Sequence, residues 1–371
     1  MNPVLILSLI IIFFTLCMSK LVFTTRVNKL LKTLNKTKFS IIIACRNEES
    51  NLIALFNSLQ KIKYSPDLIE IIFVDDHSTD NTFSLLTGFC VKSVNYHAYR
   101  LCGDQQGKKY ALQTGINYAT NNWIIFTDAD CIVHPDWLCS IDKRIQSDTE
   151  DKYSMYIGFS PEIKSKTTNY LVASFRYFKQ LASAYIYAAS TMAGIPFSCT
   201  ARNLIFKKTV FKQTKGYDEF FHKDTLTHFK VSGDDKLLLN KFLQNKQKVS
   251  YIAYPPVYTC SVHDNLRRNQ NLRRYGKFSM SSILWQTIMV IIGVLLLYTP
   301  IYIYFNQQGF KSLLIFFFTL NLFSVTGCIT HKQKFYPEYL IFSIIFPYYL
   351  IYQITRSRFI KWTWKNRTTV K

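Results

Sequence analysis

Three short apolar runs, residues 39–44, 69–74 and 123–126, each lead directly into a polar segment that carries carboxylates. An uninterrupted apolar run reads as a strand buried on both faces, since a half-exposed strand would alternate. The segments that follow are Arg46-Asn47-Glu48-Glu49, then Asp75-Asp76-His77-Ser78-Thr79-Asp80, then Thr127-Asp128-Ala129-Asp130. Between them the spacing turns helical. Leu52, Leu55, Phe56, Leu59 and Ile62 share one face, and Ala111, Leu112, Gly115 and Ala119 line a helix predicted over 108–119. A short strand is expected near 94–100. Alternation of strand and helix implies a mainly parallel sheet with flanking helices. Ligands of such sheets bind beyond the carboxyl ends of the strands. The polar segments therefore stand where a Rossmann-like α/β domain, expected over 39–277, would build its site.

The flanks are of a different character. Residues 1–19 carry no charged side chain, and Lys20, Arg26, Lys29, Lys32, Lys36 and Lys38 follow. No basic stretch precedes the apolar run and no small-residue cleavage site follows it, which argues against a cleaved signal peptide. The expected arrangement is an uncleaved anchor over 1–24, a basic linker over 25–38 and delivery of the chain to the cytoplasm. Residues 278–355 hold the charge-free stretch 278–310, a second apolar segment at 312–330 and a third at 339–355, the last containing Pro347. A span needs about 20 residues. Four crossings would leave outside a tail, 356–371, that carries Arg356, Arg358, Lys361, Lys365, Arg367 and Lys371. One C-terminal segment, the one with Pro347, is therefore expected to be re-entrant or interfacial. These features predict N-terminal and C-terminal transmembrane helices and a multi-pass protein of the inner membrane, its globular domain cytoplasmic.

Charge supports the same picture. The formal net charge is +22, from 45 Lys and Arg against 23 Asp and Glu. Such an excess suits nucleic acid, anionic lipid or a phosphorylated substrate. No RNA-binding signature or zinc-finger spacing is present, and much of the basic charge flanks apolar segments. Nucleic acid is therefore not expected as a partner, whereas membrane lipid is. The 9 cysteines are scattered without a C-x-x-C pair, so they read as reduced thiols.

The polar segments carry distinct chemistries. Asp128 and Asp130, two residues apart at a strand end, can approach one hard cation such as Mg2+ or Mn2+; a solvated turn is the alternative. Asp75 and Asp76 can accept hydrogen bonds from a base or ribose, while 78–82 can turn the chain and cap a helix. Gly107-Lys108-Lys109 places a cation at a helix start, where it can meet phosphate, although the Walker spacing is absent. Ser232-Gly233-Asp234-Asp235 offers either a helix cap or a general base. Arg267-Arg268 and Arg273-Arg274 can hold a diphosphate, an acceptor phosphate or anionic lipid. Residues 168–190, rich in Tyr, Phe and Ala, read as an amphipathic helix, packed at the membrane surface or in the core.

In this order and spacing, Arg46-Asn47-Glu48-Glu49, Val74-Asp75-Asp76, Gly107-Lys108, Asp128-x-Asp130 and Gly233-Asp234-Asp235 resemble family 2 glycosyltransferases of the GT-A fold. The flanking apolar segments resemble the membrane-bound bacterial branch of that family. The resemblance covers about residues 39–277. It implies an inverting transfer from a nucleoside-diphosphate sugar, with uridine as the base. Glu48, Asp75 and Asp76 would then bind the nucleotide, and Asp128 and Asp130 would contact it and hold the metal. Asp235 would be the base, with Asp234 beside it. Residues 199–203 resemble the acceptor-side stretch, which assigns Arg202 and Asn203 to the acceptor, although Ala201 stands where glycine is usual. The Q-x-x-R-W motif of processive members is degenerate around 270–275, which points away from polymer extension. The expected activity is metal-dependent transfer of a hexose to a lipid or glycan acceptor in cell-envelope synthesis. The alternatives are a processive polysaccharide synthase, a polyprenyl-phosphate sugar synthase and a non-catalytic nucleotide-sugar-binding subunit.

Overall fold

The computed structural model describes residues 2–30, 37–163, 169–217, 234–260, 283–305, 309–357, 363–364 and 367–368. A long helix, α1 (Pro3–Leu30), precedes the globular domain. The domain opens with β1 (Phe39–Cys45), α2 (Glu49–Leu59), β2 (Ile69–Asp75), α3 (Thr82–Cys90), β3 (Tyr96–Arg100), α4 (Lys108–Tyr118) and β4 (Trp123–Asp128). It continues through β5 (Cys131–Ile132), α5 (Trp137–Gln146), β6 (Tyr153–Gly158), α6 (Tyr170–Met192), β7 (Leu204–Lys207) and α7 (Lys208–Gln213). After α8 (Asp234–Gln244) come β8 (Lys248–Ile252) and β9 (Tyr258–Thr259), then the helices α9 (Ile283–Phe305), α10 (Gly309–Thr330) and α11 (Tyr339–Ser357).

One seven-stranded sheet runs in the order β3-β2-β1-β4-β7-β6-β8. Its first four strands are parallel; β7 is antiparallel to both β4 and β6, and β6 pairs parallel with β8. The domain is thus α/β with a mainly parallel sheet. β2 and β4 each run past their apolar residues to include Asp75 and Asp128, because ladder pairing uses the backbone and is indifferent to the side chain. β3 begins at Tyr96, since the Tyr96 amide closes a turn on the Ser93 carbonyl at 3.1 Å.

Side chains of the central strands divide between two cores by alternation. Ile42, Ile72, Val74, Ile124 and Phe126 pack with α4, α6 and α8, while Ile41, Ile43, Ile71, Phe73 and Ile125 pack with α2, α3 and α5. Each such burial contributes about 1.5–3 kcal/mol, so the sheet is the rigid base on which the loops stand. α4 lies especially close: a Cβ at Gly115 would come within 2.4 Å of Ile42 Cγ2.

Among the described residues, α10 alone is long and apolar enough to cross a membrane by length and composition, with a mean hydropathy of 2.0. Pro3–Met18, Ile291–Phe305 and Tyr339–Gln353 are shorter apolar stretches. Among the described residues one candidate thus stands for the expected N-terminal and C-terminal spans, and the others, with the multi-pass arrangement they imply, are not confirmed. α1 continues beyond its apolar part into the basic residues, and α11 continues through Pro347 as one helix rather than breaking there. These helices pack on one another through polar contacts. Thr319 Oγ1 donates to Ser8 Oγ at 3.2 Å, and Ser343 Oγ to Asn321 Oδ1 at 3.3 Å. α6, expected at a surface or in a core, packs in the core through Phe178 and Tyr185, and the Tyr185 hydroxyl also donates to Thr15 Oγ1 in α1 at 3.0 Å.

Candidate active site

Parallel pairing aligns Cys45 with Asp75 and Ala44 with Asp128, so the segments after β1, β2 and β4 emerge along one edge. The first two interlock. Arg46 Nη1 donates to the Asp76 carbonyl at 2.8 Å, the Asn47 amide to Ser78 Oγ at 2.9 Å, and the Glu48 amide to Thr82 Oγ1 at 2.8 Å. Asn47 in turn accepts from the Thr79 amide at 2.9 Å, and Glu48 Oε2 accepts from Asn51 Nδ2 at 2.7 Å. Asp80 receives the Thr82 amide at 3.0 Å and the Glu49 amide at 3.3 Å. Burial pushes the Asp80 carboxyl upward, but the bonds from Thr82 and Glu49 outweigh it and hold the group below the usual carboxylate range. Asn47 and His77 sit at φ 50° and 55°, in the left-handed region. Strain of this kind concentrates where a loop must present groups to a ligand.

Asp75 and Asp76 divide their work. Asp75 is fully buried and accepts from Arg100 Nε at 2.8 Å and the Ser78 amide at 3.2 Å, which fixes the turn after β2. Asp76 Oδ1 accepts from the Gly107 amide at 3.0 Å. The next residue, Lys108, donates through Nζ to Asp128 Oδ1 at 2.7 Å. Gly107-Lys108 therefore spans the edge of the sheet from Asp76 to Asp128. Gly107 adopts φ 106°, a conformation that side chains resist, and this presents its amide to Asp76.

On the far side of β4, the Cys260 amide donates to the Asp130 carbonyl at 2.8 Å, beside the antiparallel pairing of β5 with β9. Arg202 stands in the turn Ala201–Asn203 and donates through Nη1 to Thr259 Oγ1 at 2.7 Å. Asp235, in the first turn of α8, accepts from the Ala201 amide at 3.3 Å and from the Lys236 amide at 2.8 Å. Asn203 is buried, its amide engaged by the Phe159 carbonyl at 3.2 Å and by Trp137 Nε1 at 3.0 Å. Asn203 thus braces the turn that carries Arg202. Arg273 and Arg274 lie outside the described residues, as does the side chain of Asp234. Burial, then the charges of Asp130 and Asp128, push the Cys131 thiol upward, so it offers no thiolate nucleophile.

Among the described residues, no cluster of three or more His, Cys, Asp or Glu side chains could hold a metal ion by itself. Asp128 and Asp130 nevertheless fit a hard divalent cation of the Mg2+ kind. Such ions are held by one or two carboxylates and complete their shell with substrate phosphates and water. Two contributors escaped sequence reasoning, Arg100 and Thr259, as did the Asp76 partner of the Gly107 amide. Each acts through a partner distant in sequence, which no local pattern signals.

Residues 40–214 match the family model for Glycosyl transferase family 2. That match covers somewhat less than half of the 371 residues. A probable glycosyltransferase of Sulfolobus acidocaldarius is 24% identical over 301 residues, covering 77% of this chain and 61% of the relative. The poly-beta-1,6-N-acetyl-D-glucosamine synthase of Staphylococcus aureus is 31% identical over 97 residues, 26% of this chain and 23% of that protein. The match thus spans less than two thirds of either relative. Among solved structures, a mannosyltransferase of Pyrobaculum calidifontis in complex with GDP-Man and Mn2+ is 15% identical, with a TM-score of 0.49 over 95% of this chain and 99% of that one.

Proposed function

We propose that the protein is an inverting glycosyltransferase that moves a hexose from a nucleoside-diphosphate sugar, a UDP-sugar, to a membrane-associated, lipid-linked acceptor. The observation that carries this reading is the bridge from Asp76 through Gly107-Lys108 to Asp128, with Asp235 and Arg202 on the next turn. Asp76 and Glu48 recognise the nucleoside, Asp75 holds their loop, and Lys108 turns from Asp128 toward the donor phosphates. Asp128 and Asp130 would hold a divalent cation, which would supply Lewis-acid neutralisation of the leaving diphosphate. The acceptor oxygen attacks the anomeric carbon while the bond to diphosphate breaks on the opposite face. Asp235 takes the hydroxyl proton, held in orientation by the Ala201 and Lys236 amides. Arg202 faces the acceptor side, and Arg273 and Arg274 serve phosphate or lipid. Asp234 supports Asp235 from the start of α8.

The acceptor is lipid-linked in this reading because α6 couples the domain to helices that include the candidate span α10. The basic flanks support a domain on the cytoplasmic side of the membrane in this reading. A processive polymer synthase is the second reading, favoured by the match to the Staphylococcus aureus enzyme; product length separates the two.

The test is a panel of nucleotide sugars, UDP-N-acetylglucosamine first, given to the full chain in native membranes with Mn2+ or Mg2+ and lipid extract. Metal-dependent release of nucleoside diphosphate from one donor, abolished by Asp235→Asn with donor affinity retained, is expected. Donor binding without release under every condition would instead indicate a non-catalytic nucleotide-sugar-binding subunit.

A further inference from the structure

The turn that closes α10, His331-Lys332-Gln333, docks on the catalytic domain at three points. His331 is fully buried. Its Nδ1 lies 2.9 Å from the Gly327 carbonyl, which can only accept, so Nδ1 carries the hydrogen and Nε2 is left as an acceptor. The Tyr251 hydroxyl, 3.2 Å away, donates to that Nε2. The same ring packs edge-on against Phe159 at 4.5 Å between centroids. Lys332 is exposed and holds its ammonium 4.2 Å from the ring centroid of Tyr254. Gln333 receives the Tyr177 hydroxyl and hydrogen-bonds Tyr258.

These anchor points follow one another along a single connection. Tyr251 is in β8, Tyr254 lies just beyond it, and Tyr258 opens β9. The residues immediately after Tyr258 are Thr259, which accepts from Arg202, and Cys260, whose amide donates to Asp130. A second route leads the same way. Phe159, against which His331 packs, accepts from Asn203 at 3.2 Å, and Asn203 ends the turn whose Ala201 amide holds Asp235.

We propose that residues 331–333 are positioning residues for catalysis. They clamp the 251–260 connection, and through it set Asp130 and Arg202 against one another at the end of the candidate membrane helix. None of the three meets substrate. The assignment rests on the glycosyl-transfer reading of Asp130 and Arg202, while the clamp itself is open to a test that needs no turnover.

The test uses the full chain in detergent with Lys332→Ala, Lys332→Arg and Tyr251→Phe. Lys332 is exposed, so its substitution leaves folding intact; Tyr251→Phe removes one hydroxyl and keeps the ring. Hydrogen–deuterium exchange of peptides covering 251–260 and 199–204 is read first. Faster exchange of both in Lys332→Ala and Tyr251→Phe, restored by Lys332→Arg, is expected, since arginine keeps a cation over Tyr254. Steady-state kinetics then follow, with kcat expected to fall about tenfold in the two disruptive variants while the donor KM holds. Unchanged exchange in both would overturn the clamp, whatever the kinetics. Faster exchange with unchanged kcat would overturn its catalytic role. A wild type that turns over no donor sinks the glycosyl-transfer reading instead, and the exchange data still decide the clamp.

Discussion

Gly107 shows how one residue can serve a site without a side chain. Its φ of 106° aims the amide at Asp76, and nothing lies within 4 Å of where a Cβ would project. Gly107→Ala therefore meets backbone strain alone, about 1–3 kcal/mol. Relief of that strain turns the amide from Asp76, so nucleotide affinity measured by calorimetry is expected to fall while the two cores stay intact. Unaltered affinity would mean that the amide does not organise the site. His331 makes the opposite case, a side chain whose burial matters through protons. Burial lowers its pKa to about 4 from the ordinary 6.5. The neutral ring is the folded form, so its contribution is fully present above pH 6.5 and is lost as pH falls toward 4. The loss is on the order of 3 kcal/mol. Thermal denaturation in detergent from pH 7.5 to 4.5 should show this decline, and His331→Gln should flatten it; equal slopes would refute the assignment. At this scale the sequence was legible where chemistry is local. Asp128 and Asp130 stand out because two carboxylates end an apolar run. Arg100 and Thr259 do not, because their partners lie 25 and 57 residues away.

Elements were legible wherever burial is continuous. The three apolar runs became β1, β2 and β4, and their alternation with helices implied the parallel pairing that gathers the carboxylates. The reversal of β7 was not legible, since a strand's direction depends on where its neighbours leave room. Nor was the clasp at the opposite edge of the sheet. There Glu70, in β2, accepts from Ser40 Oγ, from the Thr120 amide at 3.0 Å and from Thr120 Oγ1 at 3.2 Å. Glu70 thus ties β1 and β2 to the turn between α4 and β4, the strand ends remote from the site. Glu70→Ala leaves the buried Ser40 hydroxyl without this acceptor, which costs about 1–3 kcal/mol. Chemical denaturation should register that loss while donor affinity stays unchanged. Weakened donor binding at equal stability would place Glu70 nearer the chemistry than its end of the strand allows.

At the scale of the whole molecule, the question is what surrounds the helices outside the domain. Composition announced apolar segments at both ends but could not number the crossings, because charge-free length does not say where a helix begins or ends. α10 buries Ser312, Thr319, Asn321 and Ser324 against its neighbours and turns Leu322, Val325 and Ile329 outward. That is the pattern of a helix that hides polar groups in a bundle and meets lipid with apolar ones. If lipid is its surroundings, an arginine on the outward face should oppose insertion by about 2.5–3.5 kcal/mol near the centre of a span. Leu322, 46% exposed, is the site to change, and Ile53 in α2, 63% exposed, is the control on the domain surface. Leu322→Arg is expected to lower the fraction of protein that resists carbonate extraction, while Ile53→Arg leaves it unaltered. Equal retention of both would mean that α10 faces water or a partner protein. The lipid-linked acceptor would then lose its main structural support, whereas the carboxylates along the sheet edge would stand as before.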